Sequence, residues 1–378
     1  MKISYITNAR IPTEKANGIQ IMENCGAISK ISDIEVSLVS AKRSKVNIQN
    51  PFEYYNINKT FEFKRIFCLD FLWLPVFKLA SFIIQVVSFT ISSLIYILVH
   101  NHQIDVVYTR DFYVVALASF IKPVFYEVHS LPSKISWMHK MAWKRSKGLI
   151  VISQGLLNDL VKFGVDLNKI MIARDGVNVE RFDIDLSKSS AREKLNISQE
   201  QKVVVYTGHL YEWKGVHTLA QAGLKIPEDI HIYFVGGTIE DVARFREQYK
   251  SKNIHMLGHQ PQTQIPIWLK AADLLIIPNS AKERISSHYT SPMKLFEYMA
   301  SSTPIIASSL PSLREVLSDK EAVFFNADDS VDLSEKIEHS MNNINELKES
   351  AEIVQEKSKK YNWENRAGSI IKYVRSKI

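Results

Sequence analysis

The sequence predicts an α/β protein built from two doubly wound parallel sheets in tandem. The first observation is that short β-branched runs alternate with helical stretches along residues 1–163. The second is a polar stretch rich in Lys and Ser, from Asp183 to Gln201, after which the same alternation begins again. The third is the length, because 378 residues at about 150 per domain suggest two or three domains, each large enough to bury a core. Such an alternation favours parallel sheets covered by helices.

In the first half, five β-branched runs predict strands, and the segments between them predict helices. The predicted strands are Lys2–Thr7, Val36–Ser40, Asp105–Thr109, Val124–Glu127 and Leu149–Ser153. The predicted helices are Ile19–Lys30, Phe77–His100, Phe112–Ile121, Ser133–Lys147 and Gln154–Phe163. We expect these elements to form one sheet wrapped by helices.

The second half predicts another sheet, with a helical pattern after each strand. Its predicted strands are Val203–Thr207, His231–Val235, Ile254–Leu257, Leu274–Pro278, Pro304–Ala307 and Ala322–Phe325. We predict an N-terminal domain over 1–176, a second domain over 177–361, and a C-terminal helix over 362–378 that packs back on the first domain. Two such folds in series place the carboxyl ends of both sheets around one cleft, where ligands of doubly wound folds bind.

Composition and charge exclude several classes of protein. The chain is 46% hydrophobic and 23% charged, which argues against a disordered chain or a polytopic membrane protein. Its two cysteines, Cys25 and Cys68, are too few for a disulfide framework or a zinc knuckle. The residues Met1–Thr7 lack the apolar core of a signal peptide, so we expect a cytoplasmic protein. The net charge of +7 would favour phosphates or anionic lipid and gives little support for nucleic acid.

The segment Leu79–Val99 has 21 residues without a charge, long enough to span a bilayer. It contains several polar residues, and its flanks read as strands of one sheet, which a span would separate. The polar residues are Ser81, Gln85, Ser88, Thr90, Ser92 and Ser93. We therefore predict a helix that is buried or rests on a membrane surface, with a spanning helix as the alternative.

The segment Thr290–Ala307, TSPMKLFEYMASSTPIIA, predicts a helix whose start could bind an anion. Ser291 is a good N-cap and Pro292 suits the first helical position. The N–H groups of Met293 and Lys294 would then be free to bind an anion. Glu297, one turn further on, could accept hydrogen bonds from vicinal hydroxyls such as those of ribose. A capped surface helix with an ordinary glutamate is the alternative.

The segment Val205–Gly215, VYTGHLYEWKG, predicts a strand that ends at Gly208 and a tight loop that carries His209. Lys214 opens the next helix, where a cation is unfavourable by about 0.3–1 kcal/mol unless an anion lies nearby. Lys214 is therefore a candidate phosphate ligand, with a solvated lysine as the alternative.

Taken together, these motifs resemble the family-four retaining glycosyltransferases of the GT-B fold. In the family's order, the second half shows GHLYEWKG, FVGG at Phe234–Gly237, AADLLIIPNS and SPMKLFEYMASSTPIIASSLPSLREVL. Segments of the first half also resemble those of the family. They are IPTEKANGIQIMENCGAISK, YEVHS at Tyr126–Ser130, and VISQGLLNDLVKFGV with DGVNVERF. The resemblance covers nearly the whole chain.

The resemblance implies a role for particular residues. Lys214 would contact the donor diphosphate, Glu297 would bind the nucleotide ribose, and His129 would face the reacting centre. Gly18, in the first loop, would let the backbone approach substrate closely. The implied catalytic pair is His129 and Lys214, and the implied acceptor-side set is Asn17, Glu127 and His129. The implied donor-binding set is Gly18, Gly208, His209, Lys214, Glu283, Tyr289, Ser291, Pro292, Met293, Lys294 and Glu297.

Two positions depart from the family pattern. The family has a glutamate eight residues before the one that corresponds to Glu297, and that position is Tyr289 here. Glu283 on the same loop, or backbone groups, would take over the missing carboxylate's role. The family's arginine after the strand-end glycine is His209 here, so charge compensation for the diphosphate falls more heavily on Lys214.

The implied reaction is transfer of a sugar, with retention, from a nucleotide-diphosphate donor to a hydroxyl of a glycan or lipid-linked acceptor. This activity would serve surface polysaccharide or glycoconjugate synthesis in a bacterium or archaeon. The motif set requires no metal and no cofactor besides the donor, since the nearest Asp-x-Asp, Asp183 and Asp185, lies in the polar linker. A nucleotide-sugar 2-epimerase of the same architecture and a non-catalytic nucleotide-sugar-binding protein are the alternatives.

The segment Ser133–Lys147 predicts a basic helix that could touch a membrane. Lys140, Lys144 and Lys147 share one helical face, with Trp137 and Trp143 near its borders. Basic residues beside tryptophans suit an anionic membrane surface. We therefore expect a peripheral protein on the inner face of the cell membrane. A solvated basic helix that packs through Ile135, Met138 and Met141 is the alternative.

Overall fold

The computed structural model describes residues 1–43, 50–71 and 78–378, so Phe77, the predicted start of one helix, lies outside the described residues. The described chain forms two compact units. Unit 1 comprises Met1–Ile152, Leu156–Arg174 and Trp363–Ile378. Unit 2 comprises Ser153–Gly155 and Asp175–Asn362.

Unit 1 is built on a parallel sheet of seven strands in the order β3-β2-β1-β4-β5-β6-β7. The strands are β1 (Lys2–Thr7), β2 (Glu35–Ala41), β3 (Glu62–Ile66), β4 (Val106–Thr109), β5 (Val124–Val128), β6 (Gly148–Val151) and β7 (Ile170–Ile172). The central strands β1, β4, β5 and β6 are buried on both faces, which is why they are rich in apolar residues.

Helices cover the sheet of unit 1. They are α1 (Ala16–Ser29), α2 (Pro51–Tyr55), α3 (Lys78–Val99), α4 (Phe112–Ala118), α5 (Trp137–Arg145) and α6 (Gln154–Lys162, which begins at the unit boundary), and the last helix of the chain, α16 (Trp363–Arg375). Helix α16 packs against α1. Helix α4 packs against α3 on one side and α5 on the other, so these three helices form one layer.

Helix α3 is long and apolar enough to cross a membrane by length and composition, yet one third of it is buried within the protein. Its polar residues Ser81, Gln85 and Ser93 are buried, whereas Ile83, Val87 and Ile91 are about half exposed. The polar residues that argued against a spanning helix therefore face the unit.

The basic segment before β6 differs from the prediction in extent and in packing. Helix α5 covers only Trp137–Arg145, so Lys147 lies beyond its end. Trp137 is exposed, but Trp143 is buried beside Phe163, with ring centroids 6.2 Å apart. The expectation that both tryptophans border an exposed basic face is wrong for Trp143.

Unit 2 is built on a parallel sheet of six strands in the order β10-β9-β8-β11-β12-β13. The strands are β8 (Lys202–Thr207), β9 (Ile230–Val235), β10 (Ile254–Gly258), β11 (Leu274–Ile277), β12 (Ile305–Ser308) and β13 (Val323–Phe325). The helices are α7 (Val179–Phe182), α8 (Lys188–Lys194), α9 (Val216–Gly223), α10 (Ile239–Gln248), α11 (Ile265–Ala271), α12 (Met293–Ala300), α13 (Pro311–Arg314), α14 (Ser330–Asn342) and α15 (Leu347–Ser358). The predicted fold class, two doubly wound parallel sheets in one chain, is confirmed.

Candidate active site

In unit 2, two lysine side chains meet at the end of strand β8. The strand is followed by Gly208, whose φ of +128° favours glycine. A Cβ atom on Gly208 would lie 3.4 Å from Lys214 Nζ and 3.8 Å from Lys294 Nζ. The two ammonium groups therefore converge on one backbone position at the carboxyl end of a central strand, where ligands of such sheets bind.

A tight turn holds Lys214 in this place. The residue ends a 3₁₀ turn, Glu212–Lys214, and the next residue, Gly215, has a φ of +68°. A Cβ atom on Gly215 would come within 1.8 Å of the carbonyl oxygen of Pro278, so only glycine fits there. Lys214 is half-buried, and burial lowers the pKa of Lys214 to about 8. Glu297 acts in the opposite direction and favours the charged amine.

Lys294 is more deeply buried than Lys214. Its side chain projects from the first turn of α12, is only 8% exposed, and places Nζ 3.9 Å from the ring centroid of Tyr206. Lys294 Nζ is buried and has no hydrogen-bond partner among the described residues. Burial, with the neighbouring charge of Lys214 in addition, holds the pKa of Lys294 well below its usual value. From the sequence we expect only the backbone N–H of this residue to bind an anion, and the role of the side chain is not predicted.

This pair of lysines is arranged for an anion. A buried ammonium without a partner is unfavourable, and a second ammonium beside it adds repulsion. A diphosphate would supply several acceptor oxygens and two negative charges, which would remove both costs.

Glu297 lies beside the lysines in the second turn of α12 and is half-buried. Burial lowers the pKa of both Lys214 and Lys294, and the charge of Glu297 acts against this effect. The next residue, Tyr298, fixes the helix to the end of β8, because its hydroxyl accepts hydrogen bonds from Thr207 N at 2.7 Å and Thr207 Oγ1 at 3.1 Å. The carboxylate therefore belongs to the same cluster as the two lysines.

The start of α12 differs from the prediction. Ser291 does not cap the helix, since its hydroxyl accepts a hydrogen bond from Asp175 N at 3.0 Å, and Pro292 occupies the N-cap position. The predicted N-cap serine and N1 proline were wrong by one residue, because the serine bonds to a distant segment instead of its own helix. The helix begins at Met293, so the N–H groups of Met293 and Lys294 have no partner within the helix.

Tyr289 and His209, the two residues that depart from the family pattern, have well-packed side chains. Tyr289 is buried at the end of a π-helical turn, and its hydroxyl accepts a hydrogen bond from Arg284 Nε at 2.9 Å. The ring of His209 stacks on Tyr211, with centroids 5.0 Å apart. Glu283 is exposed, and its backbone carbonyl accepts from Ser286 N at 3.0 Å. Direct donor contacts by Tyr289, His209 and Glu283 stay predictions.

In unit 1, a buried polar network surrounds Glu127 at the end of β5. Its carboxylate accepts hydrogen bonds from the hydroxyl of Tyr108, from His129 Nε2 at 2.6 Å and from Arg366 Nη2 at 2.9 Å. Glu127 and Arg366 are both almost fully buried. Burial alone would raise the pKa of Glu127. The pKa is nevertheless held well below its usual value by three neighbours, namely Arg366, His129 and Arg110.

His129 is neutral in this environment. Burial and the charge of Arg110 lower the pKa of His129 to about 4, although Glu127 acts in the opposite direction. Because Glu127 is ionised and can only accept, the imidazole proton resides on Nε2. The second ring nitrogen, Nδ1, then carries a lone pair that can accept a hydrogen bond from a hydroxyl group.

Two cations of this network, Arg366 and Arg110, are not predicted from the sequence. Arg366 lies in α16, 239 residues from Glu127, and it also donates to Asn24 Oδ1 at 2.7 Å and to the carbonyl oxygen of Arg174 at 3.0 Å. No local motif marks such a residue. Arg110 directly follows β4 and donates to Gln20 Oε1 at 2.6 Å, so its position after a strand was a usable signal.

Gly18 and Asn17 lie in the first turn of α1, so the expectation that Gly18 belongs to a loop is wrong. A Cβ atom on Gly18 would lie 2.2 Å from the hydroxyl of Tyr55, which itself donates to the carbonyl of Thr13 and accepts from its N–H. This close packing accounts for the glycine without a substrate. The side-chain oxygen of Asn17 is buried and has no hydrogen-bond partner among the described residues.

Comparison with known families covers both halves of the chain. The model of Glycosyltransferase Family 4 matches residues 36–181, and the model of Glycosyl transferases group 1 matches residues 201–343. The chain belongs to the family-four glycosyltransferases.

Curated relatives of this glycosyltransferase are distant. A D-inositol 3-phosphate glycosyltransferase of Xylanimonas cellulosilytica is 23% identical over 46% of this chain and 43% of the relative. A processive diacylglycerol alpha-glucosyltransferase of Acholeplasma laidlawii is 26% identical over 60% of this chain and 64% of the relative. The first of these matches spans less than half of the relative and the second less than two thirds.

Solved structures similar to this glycosyltransferase share its GT-B fold over the full length. Anabaena HepE, in complex with UDP and glucose, superimposes with a TM-score of 0.76 at 18% identity and covers 100% of both chains. The lipopolysaccharide glycosyltransferase WaaG gives a TM-score of 0.69 at 12% identity over 97% of this chain and 98% of WaaG. At identities this low, the structural likeness establishes the fold alone.

Among the described residues, no group of three or more His, Cys, Asp or Glu side chains could hold a metal ion. Metal-independent transfer stays a prediction.

Proposed function

We propose that this glycosyltransferase moves a sugar from a nucleotide-diphosphate donor to a hydroxyl of a glycan or lipid-linked acceptor, with retention of the anomeric configuration. The observation that carries this proposal is the buried ammonium of Lys294, which lies beside Lys214 without a hydrogen-bond partner among the described residues. A buried unpaired cation next to another cation has a physical reason when an anion is its regular ligand.

The diphosphate is the leaving group of the reaction, and it gains negative charge in the transition state. Cations that are already in place before the reaction stabilise the transition state more than they stabilise the ground state. They therefore lower the barrier. Lys214, Lys294 and the N–H groups at the start of α12 form such a set. In this proposal Glu297 accepts hydrogen bonds from the ribose hydroxyls, while its charge partly opposes the lowering of the pKa of both lysines by burial.

In this proposal His129 is the residue of unit 1 that contacts a reacting hydroxyl. Its Nδ1 lone pair, made available by the bond between Nε2 and Glu127, would accept a hydrogen bond from a sugar or acceptor hydroxyl. The relatives support an acceptor of the glycan or glycolipid class, since one of them is a diacylglycerol glucosyltransferase and another a putative teichuronic acid biosynthesis glycosyltransferase of Bacillus subtilis. We propose that the enzyme works on the inner face of the cell membrane as a peripheral protein.

The first test is a thermal-shift screen with uridine, guanosine, adenosine and cytidine diphosphates. A ligand that binds only the folded state raises its melting temperature, so the cognate base is expected to give the largest shift. We expect Lys214→Ala and Glu297→Ala to reduce this shift, and each to lower transfer by at least about tenfold with the fold intact. The exposed Lys225 offers a matched control, since Lys225→Ala removes a surface cation of the same unit.

The second test is donor turnover followed by NMR. Formation of a product with the donor's anomeric configuration, unaffected by EDTA, is expected. Inversion would contradict retention, and loss of activity in EDTA would contradict metal independence. Interconversion of the donor sugar would identify an epimerase, and binding without turnover of any donor and acceptor tested would identify a binding protein. Each of these two outcomes would overturn the proposal.

A further inference from the structure

Helix α3 has the reverse of the polarity that a surface helix of a soluble protein shows. The side that faces unit 1 carries a buried residue at every fourth position from 81 to 97. Three of these residues are polar, namely Ser81, Gln85 and Ser93, and the other two are Phe89 and Ile97. The outer side is entirely apolar, and its exposed residues are Leu79, Phe82, Ile83, Ile84, Val87, Ile91, Ile95, Leu98 and Val99. An amphipathic helix normally turns its apolar stripe to the core, so this arrangement matches an apolar medium outside.

The inner side of α3 is fixed to unit 1 by specific bonds. Gln85 Nε2 donates to Cys68 Sγ at 3.3 Å, and the Gln85 side chain also bonds to that of Asn8. The hydroxyl of Ser88 accepts from Leu69 N at 3.0 Å, which ties the chain before α3 to the helix. Withdrawal of α3 into a bilayer as a spanning helix would break these bonds and leave buried polar groups without partners.

The apolar surface extends beyond α3. The neighbouring helix α4 exposes Tyr113 and Leu117, the turn after α4 exposes Phe120, and the segment before α3 exposes Phe67, Leu69 and Phe71. Because α3 packs against α4, these residues continue one surface, which we call the apolar face of unit 1. An exposed apolar surface that runs over two helices and a loop marks an interaction site.

Basic residues border the apolar face. The guanidinium of Arg145, at the end of α5, lies 3.5 Å from the ring centroid of Phe120, and Lys140 and Lys144 of the same helix are exposed. The positive charge of the chain is concentrated in unit 1, which carries the apolar face. Unit 1 has 25 Lys and Arg against 13 Asp and Glu, a net charge of +12, whereas unit 2 has 22 against 27, a net charge of −5.

We propose that the apolar face of unit 1 lies flat on an anionic lipid bilayer, with α3 in the plane of the interface and the basic end of α5 at the lipid headgroups. Apolar side chains would enter the boundary between headgroups and acyl chains, while cations would attract the anionic surface. The net charge of +12 opposes a second copy of unit 1 as the occupant, because the two faces would repel each other. This inference rests on the proposed peripheral location and is independent of the donor site.

The test is flotation of the full-length protein with vesicles of phosphatidylcholine alone and of phosphatidylcholine with about one third phosphatidylglycerol. Wild-type protein is expected to float with the anionic vesicles and to do so less with the neutral ones. The double variant Ile91→Glu/Ile95→Glu is expected to bind at least about tenfold more weakly, since both residues are on the outer side of α3. Removal of Lys140 and Lys144 is expected to weaken binding to anionic vesicles by about fivefold for each lysine.

The control Ile239→Glu/Val331→Glu likewise replaces two exposed β-branched apolar residues by glutamate, but in unit 2, and is expected to float like wild type. Equal flotation of the Ile91/Ile95 variant and wild type would overturn the proposal, as would a wild-type protein that does not float. A dimer in light scattering that dissociates in the Ile91/Ile95 variant would identify a second copy as the occupant. Resistance of membrane-bound protein to carbonate extraction would identify a spanning helix. Both results would also overturn the proposal.

Nucleotide binding separates this proposal from the donor-site proposal. The Ile91/Ile95 variant is expected to keep the wild-type thermal shift with nucleoside diphosphate, whereas Lys214→Ala is expected to lose the shift and still float. Loss of nucleotide binding by the Ile91/Ile95 variant together with a lower melting temperature would show misfolding, and the milder variant Ile91→Ser/Ile95→Ser then decides by its flotation alone.

Discussion

The imidazole Nε2 of His129 lies 2.6 Å from a carboxylate oxygen of Glu127. The same oxygen receives Arg366 Nη2, so one buried carboxylate orients the histidine and compensates a cation from the last helix. Because the histidine is neutral and donates through Nε2, its Nδ1 is left as an acceptor. This arrangement gives unit 1 a fixed hydrogen-bond acceptor at the carboxyl end of β5, where ligands of doubly wound folds bind.

Replacement of His129 tests this role. We expect His129→Gln to lower transfer by about a hundredfold, because a positioned acceptor of a hydroxyl proton contributes on this scale. Nucleoside diphosphate binding is expected to be unchanged, because the lysines and Glu297 belong to unit 2. The control is His102→Gln, which changes an exposed histidine of unit 1. A parallel loss of transfer and of nucleotide affinity in His129→Gln would contradict the assignment.

The low pKa of His129 predicts a pH dependence of stability. Its pKa is about 4 in the folded protein against an ordinary value of 6.5, so the unfolded chain binds the proton more readily between these values. The free energy of unfolding should therefore fall as the pH drops from 6.5 to 4, by about 3 kcal/mol in total for this group. Urea titrations at several pH values should show this fall for wild type and a shallower one for His129→Gln. Parallel curves for the two proteins would refute it.

Arg366 is expected to be essential for the stability of unit 1. Arg366→Met leaves Glu127 buried without its main cation, and removal of one partner of a buried ion pair costs about 3–5 kcal/mol. The matched control is Arg375→Met in the same helix, which is exposed and should change stability by about 0.5 kcal/mol or less. Denaturant unfolding measures both variants, and equal stabilities would show that the pair contributes nothing.

Gly215 is expected to be required for the placement of Lys214. Gly215→Ala would be destabilising by about 2 kcal/mol or more, because the φ is +68° and the new Cβ would meet the carbonyl of Pro278. Gly368→Ala is the matched control, since this exposed helical glycine has no atom within 4 Å of a new Cβ. This control should gain about 0.5–1 kcal/mol. Thermal unfolding compares the two, and a neutral Gly215→Ala would argue against a tight turn.

The fold could be predicted from the sequence wherever a strand is buried on both faces. Strands such as β8 and β11 contain apolar runs because their sheet is parallel and covered by helices on both sides. The prediction missed β3, Glu62–Ile66, because it is a half-exposed edge strand with three charged residues among five. It also missed β7, Ile170–Ile172, because three residues give too short a pattern.

The candidate site could be predicted only in part. Lys214 was found because a lysine near a helix start is electrostatically unusual, and the same argument applied to Lys294 would have found its side chain. Arg366 could not be found, because its contacts with Glu127 and Asn24 join segments more than two hundred residues apart. Ser291 was misassigned because its partner, Asp175 N, is likewise distant in the chain.

The most direct test of the two-lysine site is a calorimetric titration of Lys294→Met with the nucleoside diphosphate that stabilises wild type most. We predict that the variant binds the diphosphate at least about tenfold more weakly, since a charge-assisted contact is lost. We also predict that the variant without ligand melts at a higher temperature than wild type, because an unpaired buried charge is replaced by an apolar side chain of similar length. Unchanged affinity together with a lower melting temperature would contradict the account.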